Sequence, residues 1–206
     1  MWGVEPKRIA AAFAATAAAL VTMAARADDL PGAYAGHGVA FSYPAAWLHM
    51  PGQFDYQAGA PLWQEFFGPQ PTQPAPTDPT QPTQPAQTMQ RDLVAIASYK
   101  TNVSITKKNL GRYKTSIQVA ILRLAMQSGG AVLSGPKRVT MGGLPGYRFQ
   151  VTATVDGNTI VESRLVLVFR GKTEYFLNCQ HLQNGPLATE IESGCDQLMQ
   201  SFKVSR

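Results

Sequence analysis

Cys179 and Cys195 are the residues of this sequence best suited to covalent chemistry, and they are its only two cysteines. Cys179 shares a predicted strand face with Tyr175 and Leu177, and Cys195 falls on the apolar stripe of a predicted C-terminal helix. Both point at one core if that helix lies on that strand. A disulfide is expected, and its loop of 16 residues is worth about 3 kcal/mol on a chain-entropy estimate. The alternative is a nucleophile–base pair of Cys179 with His181, two residues on along the same strand face, which requires a free thiolate. The three histidines, His37, His49 and His181, are scattered and lie in no ligand-spacing motif, so no metal and no cofactor is expected. Glu162 and Glu174 are read as lying on adjacent strands of a hairpin, with Arg148 and Arg164 in the same sheet, an arrangement suited to cross-strand charge pairing. Glu190 and Glu192 sit early in the last helix, where carboxylates favour the helix dipole. Gly142-Gly143 precede a strand rather than a helix, so the Met141–Gly146 stretch reads as a tight connection and not as an anion-binding loop. No catalytic residue is assigned.

The elements that position these residues follow from periodicity. Val39–Tyr43 alternates as a strand and Pro44 stops it; residues 28–38 read as loose. Ala45–Leu48 is a turn carrying Trp47, a core plug. Phe54 and Tyr56 suit a short strand. Leu93–Tyr99 reads as a buried strand, continued or neighboured by residues 102–106. From Leu110 the spacing of Leu110, Tyr113, Ile117, Ala120, Ile121 and Leu124 predicts a helix ending near Gly129-Gly130. Residues 132–133 and 137–141 supply an earlier strand or two. Tyr147–Val155, Ile160–Phe169 and Thr173–His181 form three strands of an antiparallel meander, turning at Asp156-Gly157-Asn158 and at Arg170-Gly171-Lys172. The last helix starts near Pro186 and carries Leu187, Ile191, Cys195, Leu198 and Phe202. Gly194 inside it suggests a close approach to the sheet.

Leu62–Phe67 is unusually aromatic. It suits a short packed helix or a partly exposed stretch, and Trp63, Phe66 and Phe67 are the candidate interaction patch. Residues 69–88 follow with seven prolines, four of them repeating every third residue. That period matches polyproline II, and the missing amide donors oppose helix and sheet. The segment reads as an extended, exposed insertion.

The first residues read as a targeting signal. Lys7-Arg8 precede an uncharged, alanine-rich run, and Ala25-Arg26-Ala27 has the small-x-small form that places cleavage between Ala27 and Asp28. The organisation expected is a signal peptide over 1–27 and one domain over 28–206. There is no cysteine at the cleavage point for lipid attachment and no Arg-Arg pair, which favours the general secretory route. The formal charge of +5 falls to +3 once the net +2 of residues 1–27 is removed. That is too little for a nucleic-acid surface, and the Lys107-Lys108, Arg112 and Lys114 cluster reads as a solvated helix start. No second run is long and apolar enough to span a membrane.

Phe41-Ser42-Tyr43-Pro44 with Trp47 resembles the opening F-x-x-P-x-x-W of PsbP-like domains. The helix from Leu110, the Met141-Gly142-Gly143-Leu144-Pro145-Gly146-Tyr147 approach to the long meander, and the closing Gln197–Phe202 helix end are similar too. The resemblance covers about residues 37–204 and is nearest to exported actinobacterial PsbP-like proteins and lipoproteins. It implies an α/β/α sandwich with a central antiparallel sheet, in which Phe41, Pro44, Trp47, Gly143 and Phe202 are structural. It also implies binding without catalysis, as in extrinsic photosystem proteins and a nuclear-transport cofactor. The chain departs from the lipoproteins in lacking the lipid-bearing cysteine. The expectation is therefore a non-catalytic interaction protein, secreted, periplasmic or held at the cell envelope, whose partner is an envelope or extracellular protein. The alternatives are a carrier of a small hydrophobic ligand and an extracytoplasmic enzyme.

Overall fold

The computed structural model of the protein describes residues 31–52, 61–70, 91–155 and 157–205. The signal segment with Ala27 and Asp28, the Phe54/Tyr56 stretch and all but the first two residues of the proline-rich segment lie outside these. In chain order the strands are β1 (Gly32–Gly36), β2 (Val39–Tyr43), β3 (Trp47–Pro51), β4 (Trp63–Pro69) and β5 (Leu93–Ile105). A 3-10 turn over Leu110–Tyr113 leads into α1 (Lys114–Gln127), followed by β6 (Val132–Met141), β7 (Leu144–Val155), β8 (Thr159–Leu182), α2 (Ala188–Ser201) and β9 (Lys203–Val204).

Six strands form the central antiparallel sheet in the order β3-β4-β5-β8-β7-β6, and β1-β2-β9 form a small sheet beside it. Strand alternation sends side chains to both faces, so two cores form. On one face α2 and the small sheet bury Phe41, Trp47, Phe67, Ile96, Val168, Leu177, Ile191, Leu198 and Phe202. On the other, α1 and the 3-10 turn cover Tyr147, Phe149, Val151, Leu165, Leu167 and Phe169 with Leu110, Ile117, Ile121 and Ala125. The architecture is the α/β/α sandwich expected.

Several elements differ from the sequence reading. Gly32–Gly36, Trp47–Pro51 and Trp63–Pro69 are strands rather than loose chain, turn and helix. Their pairing partners lie elsewhere in the sequence, β4 on β5 for example, and that pairing outweighs local preference. Arg170-Gly171-Lys172 is no turn. β8 runs unbroken for 24 residues, pairing Thr159–Val168 with β7 and Thr173–Gln180 with β5. Gly171, at φ 64°, sits opposite Ile105 where the register of β5 shifts. It serves a bulge, a use of positive φ that is locally indistinguishable from a turn. Glu162 and Glu174 consequently lie on one strand, not on neighbouring ones. Two genuine tight turns are His37-Gly38 (φ 51° and 74°) and Gly142-Gly143 (φ 57° and 76°), the mirror-image form that suits strand twist.

The middle helix is correct in extent and shifted in phase. The stripe of α1 that is buried is Ile117, Ile121 and Ala125, residues spaced four apart whose line drifts slowly round the helix. Ala120 and Leu124, expected inside, are exposed. In α2 the expected stripe holds, with Ile191, Cys195 and Leu198 buried. Gly194 has a definite cause: a Cβ there would collide with the indole of Trp47.

Candidate functional site

The α2 side holds two ionic clusters. In β4, alternation turns Trp63, Glu65 and Phe67 toward the core, and Glu65 is only 5% exposed. A buried carboxylate has to be matched. Tyr34 from β1 donates its hydroxyl to Oε1 at 3.0 Å. His37 Nε2, from the β1–β2 turn, meets the same oxygen at 3.2 Å, and His49 Nε2, from β3, meets Oε2 at 2.7 Å. The His37 ring stacks on Trp63 and the His49 ring on Phe67. Burial, the bond to Glu65 and that carboxylate's charge together push the Tyr34 phenol well up from its ordinary value. Both carboxylate oxygens are taken, and the cluster fastens β1, the β1–β2 turn and β3 to β4. His37 and His49, read as scattered, are thus brought together. They stand 28 and 16 residues from Glu65, and only a strand reading of 63–67 would have turned Glu65 inward.

The second cluster ties α2 to the sheet. Arg164 of β8, 7% exposed, meets Glu192 Oε2 and Asp196 Oδ1 at 2.5 Å each and donates to the Glu192 carbonyl at 2.9 Å. His181 Nε2 stands 3.6 Å from the other Glu192 oxygen. Trp47 donates its indole N–H to Glu190 at 2.9 Å. Glu190 and Glu192 therefore bond to specific side chains, beyond any effect on the helix dipole. Cys179 and Cys195 form the expected disulfide, with Cα atoms 6.0 Å apart. It consumes the thiol that a Cys179–His181 nucleophile would use. Beside α2 lies an open groove of about 750 Å³ lined by hydroxyl, amide and carboxylate groups, among them Ser42, Thr189, Ser193 and Gln197. None of its lining residues is hydrophobic in type.

The aromatic patch expected at Trp63, Phe66 and Phe67 is not an exposed surface. Trp63 and Phe67 are buried and Phe66 is half-buried, because a strand divides such a run between two faces. Among the described residues no three His, Cys, Asp or Glu side chains are arranged to hold a metal ion, and no helix is long and apolar enough to cross a membrane.

The α1 side is different in kind. Val119, Leu122, Leu124 and Met126 are 40%, 44%, 44% and 66% exposed. Spacing of three and four places Val119, Leu122 and Met126 along one line of the helix. Between Leu93 and Val155 the sequence carries nine lysines and arginines and no aspartate or glutamate. Lys107, Lys108, Arg112, Lys114, Arg123 and Arg138 are exposed, and among the described residues no ion pair engages them. Lys107 and Arg138 line a cavity of about 280 Å³ with Leu110, Thr140 and Pro145, and the Arg138 guanidinium lies close over Gly111. On β8, Glu174 is half-buried beside Tyr99. Burial raises its carboxyl to about 7, and burial followed by that carboxylate's charge raises the Tyr99 phenol.

The chain has a fold in common with cyanobacterial PsbP (CyanoP) from Synechocystis, with a TM-score of 0.55 over 85% of this chain and 93% of that one at 12% identity. A weaker likeness, TM-score 0.48 at 14% identity, covers 86% of the chain and 90% of LpqN, a protein involved in cell envelope biogenesis of Mycobacterium tuberculosis. A Bacteroides thetaiotaomicron protein matches with a TM-score of 0.45 at 14% identity over 82% of this chain. The chain spans about half, 46%, of that protein's length. No family model and no curated protein matches the sequence.

Proposed function

We propose that this is an exported, non-catalytic binding protein of the cell envelope or the extracellular space, and that it docks through the outer face of α1. The observation that carries the reading is the contrast between its two helices. Exposed positions of α2 are Thr189, Glu190, Ser193, Asp196 and Gln200, all polar, whereas α1 exposes Val119, Leu122, Leu124 and Met126. A contiguous apolar strip left open to water marks an interaction site more often than a scattered leucine does. The signal over residues 1–27, a single domain from Asp28 onward and the exposed proline-rich segment belong to the same proposal, supported by composition and spacing in the sequence. The class of target proposed is a component of the cell envelope, and cross-linking captures what lies against the docked face. The test is in-cell cross-linking and mass spectrometry of the protein and of a Leu122→Ser/Met126→Ser variant that retains its unfolding midpoint. The expected result is a reproducible captured partner that the variant loses. Equal capture by both proteins would remove α1 as the docking face.

A further inference from the structure

We infer that the α1 face docks on an anionic lipid surface. This rests on the reading of α1 as the docking face and names what that face meets. Three features of the same side agree. The line of Val119, Leu122 and Met126 presents aliphatic and thioether side chains, which suit the boundary between headgroups and acyl chains. Six exposed cations surround or precede the helix without an ion pair among the described residues, on a stretch of sequence free of carboxylates. Such residues gain attraction from a negatively charged bilayer within a Debye length. The cavity of about 280 Å³ at the start of the helix puts Lys107 and Arg138 on its walls with Thr140. Two cations and a hydroxyl are suited to a phosphate headgroup, and Leu110 and Pro145 give the remainder of the lining an apolar character.

Nucleic acid fits this surface less well. Single strands are gripped by stacking on exposed aromatics, and the side chains along the outer line of α1 are aliphatic or thioether.

Flotation with vesicles of equal parts phosphatidylglycerol and phosphatidylcholine, against pure phosphatidylcholine, tests the inference on the protein as purified from its producing cells. Variants share the same N-terminus, so differences between them report on the altered face. The protein is expected to float with the anionic vesicles, to leave them as salt rises, and to ignore the neutral ones. Lys107→Gln/Arg138→Gln should lower the anionic-vesicle affinity by about tenfold or more, and Leu122→Ser/Met126→Ser should lower it as well, both with unchanged unfolding midpoints. Absence of flotation while the serine variant still loses a cross-linked protein would overturn the lipid inference and leave the docking face standing. Flotation undiminished in both variants would overturn the lipid docking site on α1.

Discussion

The two helices have the same length, 14 residues each, and cover opposite faces of one sheet, yet they are attached in different ways. α2 is held by a disulfide, by Arg164 bridging to Glu192 and Asp196, by the indole of Trp47 on Glu190 and by the fit of that ring against Gly194. α1 is held by the narrow stripe of Ile117, Ile121 and Ala125, and apolar side chains remain on its outside. The lesson is that polar groups in this fold serve as fasteners where they are most concentrated. Glu65 and Arg164, both buried and charged, join one element to another, while the apolar strip on α1 has no structural partner among the described residues.

If the α2 side is a fastened structural unit, damage there should cost stability. Truncating Trp47→Ala removes a buried indole and its bond to Glu190, and about 3–5 kcal/mol of unfolding free energy should be lost in a denaturant titration. A smaller loss, about 3 kcal/mol, is expected from Cys179→Ser/Cys195→Ser measured in the same way. Gly194→Ala should cost about 1–3 kcal/mol by forcing α2 and Trp47 apart. Little or no change in any of these would show that α2 is not fastened as described.

Glu174 sharpens the comparison from the sheet itself. Its carboxyl is raised from 4.5 to about 7 in the folded protein. Below pH 4.5 folded and unfolded chains both carry the proton. As pH climbs toward 7 the unfolded chain gives it up and the folded chain keeps it, so stability falls through that window, with a limiting slope of about 1.4 kcal/mol per pH unit. Glu174→Gln should flatten that part of the pH–stability curve and make the protein more stable than its parent at pH 8. Parallel curves would mean that the carboxyl is solvated. The smallest expected effect is on α1: Leu122→Ser/Met126→Ser should alter unfolding free energy by no more than about 0.5 kcal/mol.

What could be read from the sequence was local. The alternation of Val39–Tyr43, the run from Leu93 and the stripe of Ile191, Cys195, Leu198 and Phe202 are all periodic within a single element, and one cysteine pair admits one intramolecular bridge. The Glu65 cluster was hidden because Tyr34, His37 and His49 come from other strands, and because an aromatic-rich run does not announce its alternation. Gly171 misled for a different reason: a glycine between Arg170 and Lys172 serves a bulge or a turn equally well. The open face of α1 was concealed because Ala120 and Leu124 fit an apolar stripe by spacing as well as Ala125 does, and packing on the sheet chose Ile117, Ile121 and Ala125. Lys107, Lys108, Arg112 and Lys114 were visible as a cluster, but Arg138 joins them only through the folding of β6 against that turn.

The most direct measurement places a photo-cross-linking amino acid at position 122 on α1 or at position 200 on the outside of α2, in the producing host, and compares what each captures. The account predicts adducts from position 122 and none above background from position 200. Adducts concentrated at position 200, with position 122 silent, would contradict it and move the docking surface to the polar groove beside α2.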